Sequence, residues 1–158
     1  MKIIQNLFST WTCFIFLLAI PLFFVSCDDD DDDIDDIVLT VTGSASGAQE
    51  VPAVTSNGTA TLTGSFNDNT NVFSYTINWT GLSGDVVVAH FHGPAAAGTN
   101  ASPIIDLTVT TNGTSGNITG TTTLDATSEG YLKAGTLYYN LHTVMHPGGE
   151  IRGQVSAN

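Results

Sequence analysis

The sequence contains few cysteines and few basic residues, and each shortage excludes a class of protein. Only two of its 158 residues are cysteines, and three are lysine or arginine against fifteen acids, so the formal net charge is −12. Cys13 and Cys27 both precede the acidic run described below. The chain beyond them therefore has neither a disulfide nor a thiolate metal site. So few bases cannot form a phosphate-binding patch, so nucleic acid is not an expected partner.

The acidic charge is concentrated in one short run. Eight of the fifteen acids lie at positions 28–33, 35 and 36, whereas the chain from Ile37 onward carries seven acids against two bases, Lys133 and Arg152. A run of like charges repels itself and has no apolar surface to bury. We therefore expect residues 27–37 to form an extended, solvated tether.

The N-terminal segment lacks an apolar run long enough to cross a bilayer. Its apolar core, Phe14–Val25, has twelve residues, about 18 Å as a helix against a bilayer core of roughly 30 Å. A short apolar core after a basic start is typical of a signal peptide, which we predict for residues 1–26. The segment ends in Phe24-Val25-Ser26-Cys27, which resembles the lipobox of bacterial lipoproteins. The resemblance implies that Cys27 is lipidated and begins the mature chain.

A lipidated Cys27 implies a location at the bacterial cell envelope. The anchor would hold the chain on a membrane, with the outer membrane or the cell surface as the expected site. Acids directly after the lipidated cysteine resemble a surface-export signal in some bacterial groups and an inner-membrane retention signal in others. Both interpretations stay open here, as does a plain signal peptide with an adventitious cysteine.

Residues 38–158 have the pattern of a single β-rich domain. Short segments rich in Val, Ile, Thr, Tyr and Phe alternate with turn signals such as Asn112-Gly113 and Pro147-Gly148-Gly149, as in strands joined by tight turns. We predict an all-β fold, a Greek-key-like β-sandwich of about seven to eight short antiparallel strands. The predicted strands are Ile37–Thr42, Thr59–Phe66, Val72–Trp79, Asp85–His92, Ile104–Thr110, Gly116–Leu124, Thr136–His142 and Glu150–Val155.

Two further local predictions follow from the same pattern. In the third predicted strand, Phe73, Tyr75, Ile77 and Trp79 alternate with polar residues, so they share one face and are expected to point inward. Only Ala126–Lys133 is expected to contain a helical turn.

Two segments are more specific than the strand pattern. The first is Val88-Ala89-His90-Phe91-His92-Gly93-Pro94, and the second comprises residues 137–143 and 146–154. Their His-x-His-Gly, Tyr-x-Asn-x-His-Thr and Pro-Gly-Gly-Glu-Ile-Arg-Gly-Gln motifs resemble the CHRD (chordin-type) family over about residues 38–156. The resemblance implies a fold and an extracellular setting more than a reaction, because bacterial members have no agreed activity. This chain also lacks the cysteine-rich modules that bind growth factors in the animal protein.

All four histidines of the chain lie in these two segments. His90 and His92 are two apart on a predicted strand, so they point to the same face. His142 ends another strand and His146 follows in the next turn. Histidine is a common ligand for zinc and copper, so convergence of the four would create a nitrogen-rich site for either metal. The alternative is structural, because strand-end histidines often donate to a carbonyl and pack their rings.

Glu150 and Arg152 are predicted to be structural polar residues. They alternate with Ile151 on the last strand, where charged side chains can pair with partners on a neighbouring strand. Because the domain has only two bases, Arg152 is the expected counter-ion of a buried acid such as Glu50 or Glu150.

The patterns favour a binding module over an enzyme. Serine and threonine are plentiful, but none lies in a recognised nucleophile elbow or triad context. We expect a non-catalytic, lipid-anchored module that binds a protein, a glycan or a metal. One alternative is a copper- or zinc-dependent redox protein of superoxide dismutase type, since those enzymes also carry a His-x-His strand on a Greek-key β-sandwich. A second alternative is a structural component of adhesion or of a matrix.

Overall fold

The computed structural model describes residues 36–158, which form an all-β domain. The strands are β1 (Val38–Ser46), β2 (Thr59–Asn67), β3 (Val72–Thr80), β4 (Val86–His92), β5 (Pro103–Leu107), β6 (Gly116–Thr123), β7 (Tyr138–Thr143) and β8 (Ile151–Ala157). A short 3-10 helix covers Gly47–Gln49, and helix α1 covers Ala126–Lys133. All strand pairs are antiparallel. The predicted all-β fold of seven to eight short antiparallel strands is confirmed.

The predicted signal peptide, Cys27 and almost all of the acidic tether lie outside the described residues. Among residues 36–158, no helix is long and apolar enough to cross a membrane.

The eight strands form one sheet whose two halves fold over each other. Their order is β5-β4-β7-β8-β1-β2-β3-β6, and β1 joins the halves because it pairs with both β2 and β8. Phe91 of β4 reaches across to β3, where its ring centroid is 5.4 Å from that of Phe73 and 5.1 Å from that of Tyr75. Hydrogen bonding is thus continuous through one sheet, while the halves pack face to face like the layers of a sandwich.

The inner face of the sheet is built as the period of two predicts. Phe73, Tyr75, Ile77 and Trp79 of β3 are 0–7% exposed, so all four point inward as predicted. The Trp79 indole N–H also finds a partner, because it donates to the carbonyl oxygen of Gly113 at 3.0 Å. Removing this much aromatic surface from water stabilises the fold.

Strand β4 divides its side chains between the core and the outer face of the sheet. Phe91 is fully buried in the core, whereas its neighbours His90 and His92 point to the opposite face. The register places His90 beside Asp106 of β5 and Asn140 of β7, and Asn140 beside Arg152 of β8. A row of polar side chains therefore crosses four strands on the outer face.

Two loops cover the part of this polar row that lies on β7 and β8 and bury it, whereas Asp106 of β5 stays exposed. One loop runs from residue 93 to 102 between β4 and β5, and the other follows β1 through residues 47–58. The loops are joined where the Asn100 side chain donates to the carbonyl oxygen of Val51 at 2.8 Å. Under them, Asn140 is only 4% exposed. The outer face of this half-sheet thus acquires a buried polar layer between strands and loops.

Helix α1 is longer than the single turn expected from sequence. Asp125 caps its N-terminus by accepting a hydrogen bond from the backbone N–H of Ser128 at 2.7 Å, an arrangement that stabilises short helices. At its other end, Lys133 contacts Glu129 at 2.7 Å and also pairs with Asp68. These exposed pairs add little stability, so burial of Leu132 is the main tertiary anchor.

Candidate metal centre

Three of the four histidines converge on the outer face. One ring nitrogen each from His90, His92 and His142 lies within 4.8 Å of the other two. Three nitrogens spread evenly around one ion, with bonds of about 2.1 Å, are about 3.4–3.6 Å apart. The three rings would therefore have to approach one another by up to about 1 Å to ligate one ion. His146 is not part of this group; it lies in the turn after β7, on a cleft that Glu50 also lines.

Main-chain carbonyls hold the Nδ1 atoms of two rings, those of His92 and His142. Nδ1 of His92 lies 2.9 Å from the carbonyl oxygen of Ala101, and Nδ1 of His142 lies 2.9 Å from that of Pro147. A carbonyl only accepts, so each Nδ1 carries the hydrogen. In a neutral ring this leaves the lone pair on Nε2. Metal-binding histidines commonly show this arrangement, with the second nitrogen donating to a carbonyl.

His90 contributes a nitrogen that has no other partner. Its Nε2 lies 3.5 Å from a carboxylate oxygen of Asp106, while its Nδ1 is buried without a hydrogen bond. Within residues 36–158, only two buried side-chain polar atoms lack a partner, and the other is Oε1 of Glu50 on the same face. An orphaned buried acceptor costs free energy unless something binds it.

Burial disfavours the charged form of two of these rings, His90 and His92. Desolvation lowers the pKa of His90, and repulsion from His142 and His92 lowers it further, while Asp106 acts in the opposite direction. Desolvation also lowers the pKa of His92, against the hydrogen bonds with Ala101 and Asn140 that raise it. Neutral imidazoles retain the lone pairs that a metal ion requires.

Asn140 lies between the rings, where the sequence analysis assigned no functional residue. Its Oδ1 is 2.9 Å from Nε2 of His92 and 3.1 Å from Nε2 of His142. The side-chain amide also interacts with Glu50, whose pKa is raised by burial although Arg152 and Asn140 both lower it. The signal available in the sequence was the spacing, because Asn140 is two residues before His142 and so shares its face.

A glycine makes room for this contact. Gly149 has a φ of +118°, and a Cβ there would lie 2.6 Å from Oε1 of Glu50 and 2.9 Å from Nδ2 of Asn140. The Pro-Gly-Gly turn thus contributes the backbone conformation and the space that the Glu50–Asn140 contact needs.

An aromatic stack supports one of the rings from behind. Tyr138 is nearly parallel to His92, with 4.7 Å between centroids and 9° between planes. The guanidinium of Arg152 lies 3.5 Å from the centroid of the same tyrosine ring, a cation–π contact. Because Arg152 is 1% exposed and Tyr138 is 2% exposed, packing restricts the orientation of the His92 ring.

Arg152 does not have the counter-ion that the sequence suggested. Its hydrogen bonds within the described residues go to neutral oxygens, those of Ala96 and Asn100 at 3.3 Å and that of Gln154 at 3.0 Å. Arg152 is a nearby positive charge for Glu50, whose pKa it lowers, but the two side chains form no ion pair within the described residues. The neutral acceptors and the tyrosine ring take over the role of an ion pair.

Glu150 is also buried, but it lies away from the histidine cluster. Its surroundings indicate a structural role. It accepts hydrogen bonds from the hydroxyls of Ser56, Ser83 and Thr143 and from the backbone N–H of Ser83, all at 2.6–2.9 Å. Burial raises its pKa, but these hydrogen bonds outweigh burial, so the pKa is lowered overall. Glu150 ties two loops to β7.

Comparison with known proteins identifies the family but not a reaction. The family model described as the CHRD domain matches residues 41–155, which include the three converging histidines, Asn140, Glu150 and Arg152. The chain matches no curated protein and no solved structure at a significant level.

Proposed function

Because the chain belongs to the CHRD family and carries a convergent histidine cluster, we propose that its domain is a non-catalytic binding module that holds a divalent transition-metal ion. The observation that carries the proposal is the set of three ring nitrogens of His90, His92 and His142 within 4.8 Å. Imidazole nitrogens suit copper and zinc, whereas calcium and magnesium prefer oxygen. The two metals expected from the sequence are therefore the first to test.

Metal titration tests this proposal directly. The full chain, purified without a polyhistidine tag, should bind one Cu²⁺ or Zn²⁺ per chain. His92→Ala should lose more affinity than the roughly 10- to 100-fold typical of removing an outer-sphere partner. His146→Ala is the matched control, because His146 lies outside the cluster, and it should bind like the wild type. Equal affinity in the wild type and in His92→Ala would reduce the histidines to packing.

We further propose that the module is lipid-anchored at the bacterial cell envelope through Cys27, on the outer membrane or the cell surface. The lipobox-like end of the signal segment and the acidic tether after it support this placement. A tethered domain of this kind would meet extracellular ligands, and a protein or a glycan is the expected class of further partner.

The redox alternative is favoured by one observation and has its own test. The side chain of His90 is 18% exposed, so a small molecule could reach an ion at this cluster. If the protein is a copper/zinc redox protein of superoxide dismutase type, the copper-loaded chain should dismute superoxide and His92→Ala should not. A copper-loaded wild type with no more activity than His92→Ala would leave the binding module as the function.

A further inference from the structure

The arrangement around Asn140 points to a fourth metal ligand and to the residue that orients it. We propose that Oδ1 of Asn140 binds the same ion as His90, His92 and His142, and that Glu50 holds the amide in the required orientation. This inference rests on the proposed metal-binding function and adds to it an oxygen donor, which the three-histidine cluster lacks.

The hydrogens on the ring nitrogens decide what Oδ1 of Asn140 faces. Nδ1 of His92 and Nδ1 of His142 each face a main-chain carbonyl, so in neutral rings both Nε2 atoms carry only lone pairs. Oδ1 of Asn140 lies 2.9 and 3.1 Å from those two atoms, and it too has only lone pairs. Three acceptors therefore face one another with no hydrogen between them. With the amide in this orientation, a cation in their midst would satisfy all three.

The spacing of these acceptors fits a metal ion. One ion bound to all three would satisfy them at once. Two ligands bound at right angles to one ion, each about 2.1 Å from it, are about 3.0 Å apart. The observed separations of 2.9 and 3.1 Å fit that arrangement.

The orientation of the Asn140 amide depends on Glu50. The Nδ2 end of Asn140 and Oε1 of Glu50 flank Gly149, at 2.9 and 2.6 Å from the position that a Cβ on that glycine would occupy. Oε1 makes no hydrogen bond, but the negative charge of the carboxylate favours the donor end of a nearby amide, so Glu50 directs Oδ1 toward the histidines. The reversed amide would donate to both rings and occupy the lone pairs that the ion needs. Glu50 is therefore a positioning residue.

The donor set also defines the class of ion. Three imidazole nitrogens and one neutral amide oxygen, without a thiolate, suit Zn²⁺, Cu²⁺ and Co²⁺ rather than a soft Cu⁺ ion or an oxygen-seeking Ca²⁺ ion. Co²⁺ is the useful probe among them, because its visible absorption reports the number and type of its ligands.

The experiment is a Co²⁺ titration of the full chain, followed by visible absorption, for five proteins: wild type, Asn140→Ala, Glu50→Gln, the double variant Glu50→Gln/Asn140→Asp, and Asn78→Ala. Asn78 is an exposed asparagine on β3, and its variant should match the wild type. Asn140→Ala should lose at least the roughly 10- to 100-fold in affinity that is typical of removing an outer-sphere partner, with a changed spectrum.

The Glu50 variants test orientation without removing the ligand. In Glu50→Gln the new amide can donate to Oδ1 and turn Nδ2 toward the rings, so affinity should fall. In the double variant, the carboxylate that replaces the Asn140 amide presents one oxygen to the ion and accepts from the glutamine with the other. This variant should recover most of the lost affinity, which a merely structural role of Asn140 does not predict.

The outcomes separate the two proposals. If the wild type binds no Co²⁺, the proposed function fails and this inference fails with it. If the wild type binds Co²⁺ but Asn140→Ala matches Asn78→Ala in affinity and spectrum, only this inference is overturned. Weaker binding by Asn140→Ala with an unchanged spectrum also overturns it, because the ligand set is then intact. Thermal unfolding without metal shows which variants fold. If Asn140→Ala does not fold, the comparison of Glu50→Gln with Glu50→Gln/Asn140→Asp tests the inference.

Discussion

Glu150 illustrates how a buried charge is accommodated at the scale of a single residue. It has no exposed surface, and three hydroxyls and one backbone N–H replace the water it loses on folding. A buried carboxylate is tolerated only when such donors surround it. The Pro-Gly-Gly-Glu motif therefore contains a structural acid next to the turn that shapes the candidate metal centre.

Replacing this acid should destabilise the domain strongly. In Glu150→Gln the four donors lose their charged acceptor, and the cost should be on the order of 2–4 kcal/mol in the free energy of unfolding. Urea denaturation measures the difference. Glu129→Gln is the matched control, because Glu129 belongs to a surface ion pair with Lys133, and it should cost at most about 1 kcal/mol.

The same residue gives the stability a defined pH dependence. The pKa of Glu150 is lower in the folded chain than its ordinary value of 4.5. Its contribution is therefore fully present above that value and is lost as the pH falls through the folded pKa. Unfolding free energies measured from pH 6 downward should decline more steeply for the wild type than for Glu150→Gln. Parallel curves would contradict the assignment.

Gly149 provides a second prediction at the residue scale. Gly149→Ala places a Cβ 2.6 Å from Oε1 of Glu50, so it should displace Glu50 and weaken Zn²⁺ binding by about tenfold or more. Gly135→Ala separates this clash from backbone strain, because Gly135 also has a positive φ of +67° but nothing within 4 Å of its added methyl group. Calorimetric titration of both variants should show a loss only for Gly149→Ala.

At the scale of elements, strands were predictable because their pattern is local. The predicted bounds of β2, β3, β4 and β6 agree with the structure to within one residue at each end. β1 extends to Ser46, beyond the predicted Thr42, because it pairs on both sides with β2 and β8. β5 ends at Leu107 rather than Thr110, since it is the edge strand and has a partner only in β4.

The candidate site was only partly predictable, because part of it depends on pairing between strands that are distant in the sequence. The period of two placed His90 and His92 on one face, and in the structure His142 lies with them in the 4.8 Å cluster. Asp106 and Asn140 join the site through the register of β5 and β7 against β4. Register between strands depends on long-range pairing, which a single sequence does not display.

Strand β3 should be the element most sensitive to truncation. Trp79 is 3% exposed and its N–H donates to Gly113, so Trp79→Ala should lower the free energy of unfolding by about 3–5 kcal/mol. Val87→Ala on β4 is the comparison, because Val87 is 50% exposed and its truncation should stay within about 0.5 kcal/mol. Similar denaturation midpoints for the two variants would contradict the packing of β3.

At the scale of the whole molecule, the proposed lipid anchor decides whether the mature chain is released or bound to a membrane. Two or three acyl chains on Cys27 would hold the chain firmly, whereas one chain binds only marginally. In bacterial cells Cys27→Ala should therefore move the protein from the membrane fraction to the soluble fraction. Cys13→Ala, which changes the other cysteine, should not. A mature wild-type chain with an unmodified Cys27 by mass spectrometry would refute the anchor.

The location of a bound metal ion tests the central claim most directly. Crystals of the protein soaked in Zn²⁺ and measured at the zinc absorption edge should give one strong anomalous peak among the three clustered histidines. We expect it about 2.0–2.1 Å from one nitrogen each of His90, His92 and His142. The absence of a peak there, or a peak only elsewhere on the domain, would contradict the assignment of this cluster as a metal centre.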